Sequence, residues 1–255
     1  MKPISFPKVG FHQFWIQLNW TFWAIGIFLV VHVIRYFFKN NADSFYSAGY
    51  IAGNIYMLVI GIIAISFLSY YVGNGITRKN YFLGNMLAAV GLSIIIPILF
   101  YLINLVEQFI ITRFTNIELE ENPFKIIEID TDGHIIGDIV QSIIITPFVS
   151  VESSFFLSLG LFALNIFMFY IIGWLIGAAF YRLGVILGII VIIIGAALFI
   201  IKDTMIRLTL DIPIFDNFVA LEKIPQGLAL PVVCLVFFII MLLIYLLIKR
   251  APIKI

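Results

Sequence analysis

Six stretches of roughly twenty apolar residues recur along the chain, the length an α-helix needs to cross a hydrocarbon core about 30 Å thick. They are Trp20 to Phe38, Ala48 to Tyr70, Leu83 to Val106, Phe155 to Phe180, Val185 to Ile201 and Leu228 to Ile248. Hydrophobic residues make up 63% of the 255 and charged residues 11%, with a mean hydropathy of +1.14. A soluble domain holds roughly 45–50% apolar residues, so a water-soluble fold could not bury this many. The pattern predicts one all-α, polytopic transmembrane domain over 1–255. The first run is flanked by Trp and Tyr as a retained span is, and no cleavage site follows it, so no processing is expected.

The few charges are sorted along the chain. Lys2, Lys8, Arg78, Lys79, Arg182, Lys249, Arg250 and Lys254 lie outside the spans on one side, with no acidic residue among them. All fourteen Asp and Glu fall on the other side, together with seven basic residues. By the positive-inside rule both termini are expected in the cytoplasm of a cell with this chain in its plasma membrane. The net charge of +1 by itself says nothing about acidic partners, because the sorted charges nearly cancel in the total, and no nucleic-acid partner is expected. The single cysteine, Cys234, excludes a disulfide framework or a Cys-based zinc site within one chain.

Outside the spans three segments have character. Over 6–19, Phe11, Phe14, Trp15 and Leu18 recur at i, i+3, i+4 and i+7, the pattern of an interfacial helix; a long first span starting at Phe14 is the alternative. The acidic segment 112–155 is the largest outer loop, and an Asp-Gly pair at Asp132-Gly133 between two short runs predicts a small β-hairpin. The segment 202–227 is too apolar for a solvated linker. Short helices at the outer leaflet, or a re-entrant turn broken by Pro213 and Pro225, are expected there.

Chemistry is scarce in the spans. Ionisable groups in hydrocarbon are costly and usually functional, yet only His32, Arg35 and Glu107 come near the span ends. His12, His32 and His134 are too scattered for a metal site by spacing, and HExxH, GxSG-type and GxxxxGK[ST] motifs are all missing. No catalytic residue, metal or cofactor is expected, and any ATP would be held with Mg by a separate subunit. Asn54, Asn104, Asn165 and Tyr170 are candidates to line a pathway, or to form hydrogen bonds between helices. The Gly173–Gly177 and Gly184–Gly188 spacings allow close helix approach, a pattern common in any bundle.

Between the second and third spans the chain reads Gly73-Asn74-Gly75-Ile76-Thr77-Arg78-Lys79-Asn80-Tyr81-Phe82. Two glycines make a turn, and Thr77 is a plausible N-cap for the helix that follows. An ordinary loop obeying the charge rule would look the same. The run Gly-Ile-Thr-Arg-Lys-Asn-Tyr-Phe also resembles the cytoplasmic coupling segment of ABC type-2 exporter permeases. That resemblance covers about eight residues closely and the rest through topology alone. It implies that the segment 71–82 docks on an ABC ATPase subunit through Gly75, Thr77, Arg78, Lys79, Tyr81 and Phe82. It implies as well a second permease copy or paralogue, and peptide or other hydrophobic cargo. With 26 Phe and 11 Tyr and few pathway charges, the chain is most similar to exporters of amphipathic or antimicrobial peptides, including phenol-soluble modulins. A toxin-immunity protein or a secondary carrier, each needing no ATPase, is the competing expectation.

Overall fold

The computed structural model describes residues 5–36, 42–114, 119–120, 139, 142–144, 146–214 and 216–253. The chain is a polytopic α-helical membrane protein: six helical stretches are long and apolar enough to cross a bilayer. In chain order they are α1 (Phe6–Tyr36), α2 (Phe45–Ala64) continued by a short α3 (Phe67–Gly73), α4 (Arg78–Phe114), α5 (Phe155–Leu183), α6 (Val185–Thr209) and α7 (Gln226–Lys249). Successive spans alternate in direction. The turns at 74–77 and Gly184 therefore gather with Ala251 at one end of the bundle, here called the near end, and the other connections form the far end. Arg78 and Tyr181 both reach this C-terminal stretch, through Ala251 O and Pro252 O.

At the centre stands α5, which packs against α2, α4, α6 and α7. Its second half is buried nearly all round. Glycines set its crossing with α2. A Cβ on Gly173 would run into Leu58 O, one on Gly177 into Ile62 O, and one on Gly61 into Tyr170 O. The small-residue spacing read from the sequence thus joins helices within one chain, with backbones close enough for dispersion contact. A large aromatic core (Phe45, Tyr46, Tyr50, Phe162, Tyr81, Trp174) fills the remaining space.

On α1 the usual amphipathic arrangement is inverted. Gln13, Gln17, Thr21 and His32 face the bundle and are buried, while Phe11, Trp15, Trp23 and Val31 are exposed. In a bilayer this is the stable arrangement, because lipid receives apolar side chains and polar groups need protein partners. The sequence reading of 6–19 as a separate interfacial helix is not met: α1 runs 31 residues without a break, about 46 Å at 1.5 Å per residue. That length covers the core and one headgroup region together.

Two further expectations change at the far end. The segment from Lys202 is not loop, for α6 continues to Thr209, and only then do Asp211 (φ 53°), Pro213 and a short 3-10 helix, Asp216–Lys223, lead to α7. Glu107 lies within α4 rather than past its end. The hairpin predicted around Asp132-Gly133 lies outside the described residues. Nearby, Leu119–Glu120 pairs in parallel with Ala42–Asp43, a two-residue bridge between the connections that follow α1 and α4.

Candidate functional site

The near-end turn closes on Gly75, whose φ of +80° suits a residue without a Cβ. Gly75 N donates to Val72 O and Ile76 N to Tyr71 O, both at 3.0 Å. Thr77 Oγ1 accepts from Asn80 N at 3.1 Å, the capping bond expected of it at the start of α4. Gly75, Thr77 and Lys79 are exposed. The other residues singled out in this segment point the opposite way. Arg78 Nη2 donates to Ala251 O at 3.0 Å. Tyr81 is 0% exposed and donates its hydroxyl to Ala64 O at 2.6 Å. Phe82, 9% exposed, stacks on Trp174 with centroids 5.4 Å apart and meets Tyr245 edge-on. The turn is thus a small exposed tip keyed into the core by the two aromatic residues that follow it.

The four intramembrane candidates do not converge on one site. Asn104 Oδ1 accepts from Tyr46 N at 3.1 Å and so helps to cap the start of α2. Asn54 is buried, and its Oδ1 has no partner among the described residues. Tyr170 donates to Asn85 Oδ1 at 2.8 Å, and Gln17 of α1 reaches the same oxygen at 3.5 Å. Asn165 belongs to the most highly charged cluster in the interior of the described bundle.

Sequence reasoning missed that cluster. Lys202, Asp203 and Arg207 are 0%, 1% and 5% exposed. Lys202 Nζ donates to Asn165 Oδ1 at 2.5 Å and lies 4.5 Å from the centroid of the Phe199 ring. Arg207 Nε donates to Asp203 Oδ2 at 2.8 Å, and its Nη1 to Pro213 O at 3.1 Å. Asn165 in turn donates to Tyr50 OH, and Tyr50 to Pro147 O. Phe148 covers Tyr50 with ring centroids 5.0 Å apart, so the last part of the acidic loop sits over this chain of bonds. The charges end the apolar run at Ile201 and thereby hide the helix. Its signal was the i, i+4 spacing of Asp203 and Arg207 beside Met205 and Ile206, one helical turn carried on from Phe199.

A second ionic group joins α1 to α4. Glu107 Oε1 accepts from His32 Nε2 at 2.8 Å and from Tyr36 OH, while Oε2 accepts from Phe45 N at 2.6 Å. The carboxylate thereby meets the positive end of α2, where Ser44 Oγ also accepts from Ser47 N. Arg35 and Asp43 pair alongside at 2.9 Å. Among the described residues no three of His, Cys, Asp and Glu come together as a metal site needs. Comparison of the chain with family models, with curated proteins and with solved structures finds no match in any of the three.

Proposed function

We propose that this chain is the membrane-spanning permease subunit of an ATP-driven ABC exporter, coupled to a separate ATPase through the near-end turn. The observation that carries the reading is mechanical. Thr77 and Lys79 stand exposed on a tight turn, and within five residues of them Tyr81 and Phe82 are locked against Ala64 and Trp174. A push on the tip is therefore transmitted to α2 and α5 rather than absorbed by a loose loop, the requirement for a rigid-body switch. The ATPase contact is reassigned accordingly: Gly75, Thr77 and Lys79 touch the partner, Arg78 ties the turn to Ala251, and Tyr81 and Phe82 bear the load.

In this reading the near end, rich in Lys and Arg, is cytoplasmic, the membrane is the plasma membrane, and a second permease copy or paralogue completes the pathway. The cargo class is amphipathic or antimicrobial peptides or similar hydrophobic molecules. ATP and Mg belong to the partner. The test is co-purification of the full chain with its candidate ATPase, wild type against Lys79→Glu, with ATP hydrolysis in nanodiscs. Lys79 is exposed, so the variant keeps its fold. Loss of the complex supports the reading; a folded wild-type chain that recruits no ATPase sinks it.

The Lys202, Asp203 and Arg207 cluster favours one rival, a secondary carrier, because buried ionisable groups between spans mark ion or substrate sites. Flux driven by an ion gradient in vesicles holding this chain alone, abolished by Lys202→Met, would establish it.

A further inference from the structure

Between the far-end halves of α1 and α4 lies a crevice of about 500 Å³, within the roughly 300–1,000 Å³ of small-molecule sites. Its walls are Leu29, Val33, Val106 and Ile110, all exposed on the outside of the bundle, so its mouth opens sideways into the apolar region and not along the bundle axis. Three polar side chains line it: His32, Tyr36 and Glu107.

The carboxylate is the unusual part. A carboxylate has about four acceptor sites, and His32, Tyr36 and the Phe45 amide occupy three of them at Glu107. None of the three donors is a Lys or Arg, so none brings a permanent positive charge to the carboxylate. The adjacent charges, Arg35 and Asp43, cancel each other. Among the described residues the carboxylate thus stands at the wall of an apolar crevice with one acceptor site open and no Lys or Arg paired to it. His32 Nδ1 is buried and has no partner among the described residues.

We infer that this crevice binds a bilayer-resident amphipath with one apolar chain and a primary ammonium head. The chain lies between Val33 and Val106 in place of membrane lipid, and the ammonium supplies the counter-charge and the donors that Glu107 lacks. Charge complementarity selects the head, because an anionic head would be repelled at the same wall. The site stands whether or not the chain recruits an ATPase.

The experiment uses the full chain in phosphatidylcholine nanodiscs with two photoreactive probes of equal tail, a dodecylamine and a dodecyl sulfate. Labelled peptides are mapped by mass spectrometry. Expected is labelling within 29–36 and 103–111 by the amine, about tenfold or more above the sulfate, from one charge-assisted hydrogen bond. Glu107→Gln should bring the two probes close to equal. Val33→Trp, which fills the crevice from its lipid side without touching the ionic group, should remove labelling by both. Equal labelling of the wild type by the sulfate overturns the head-group assignment. Labelling that persists unchanged in Val33→Trp overturns the site itself, and that arm decides even where Glu107→Gln does not fold.

Discussion

Asn165→Leu tests whether the buried Lys202 depends on one side chain. Among the described residues Asn165 Oδ1 is the one hydrogen-bond acceptor of Lys202 Nζ, which also lies over the Phe199 ring and in the field of the Asp203 carboxylate. Removing one partner of a buried charge costs about 3–5 kcal/mol in soluble proteins, whereas a neutral bond between membrane helices averages about 0.6. Here a cation is left behind, so the expected loss is about 3 kcal/mol. That corresponds to a fall in Tm of roughly 6–12 °C for a chain of this size. Lys202→Met removes the charge and leaves only a neutral amide without its partner, at about 1–3 kcal/mol. The two losses must not add. The double variant has neither a stranded cation nor a stranded acceptor for it, and should be at least about 2 kcal/mol more stable than the sum of the singles. Thermal unfolding of the four proteins in one detergent, followed by intrinsic fluorescence, measures this. Strict additivity would refute the reasoning, since it would mean that Lys202 and Asn165 do not act on each other.

At the near-end turn, Lys79→Glu should leave Tm unchanged, while Phe82→Ala, which empties the space against Trp174 and Tyr245, should cost about 3–5 kcal/mol in the same assay. Gly75→Val places a β-branched side chain at φ +80° and should destabilise by about 1–2 kcal/mol, although space around Gly75 is open. Gly173→Ala drives a Cβ into Leu58 O and should cost about 1–3 kcal/mol by forcing α2 from α5, with Gly227→Ala, which meets nothing within 4 Å, as the neutral control read by Tm.

The number and order of the spans were legible because a bilayer imposes a length on every apolar run, and the helices fall within a few residues of the runs at most boundaries. Charges blurred that reading at two places. Lys202 and Glu107 look like span ends in a hydropathy profile, yet α6 and α4 continue through both, since a charged side chain extends a helix if a neighbouring helix offers it a partner. At the candidate site, Thr77 was recognisable because an N-cap bond is local, spanning three residues. The inward turn of Tyr81 and Phe82 was not, because their partners Ala64, Trp174 and Tyr245 come from three other helices.

The same division separates what the amino-acid sequence alone determined from what the tertiary structure decided. Length, hydropathy and local capping specify six membrane-crossing helices and the turn between the second and third. In lipid, however, an apolar face is equally content outside or inside the bundle, so hydrophobic pattern does not choose which side of a helix packs. Glycines that admit another backbone, and polar groups that must find one another, make that choice. Gln13 and Gln17 on α1, Gly61 with Gly173 between α2 and α5, Glu107 with His32, and Lys202 with Asn165 acquire their roles only when the helices meet.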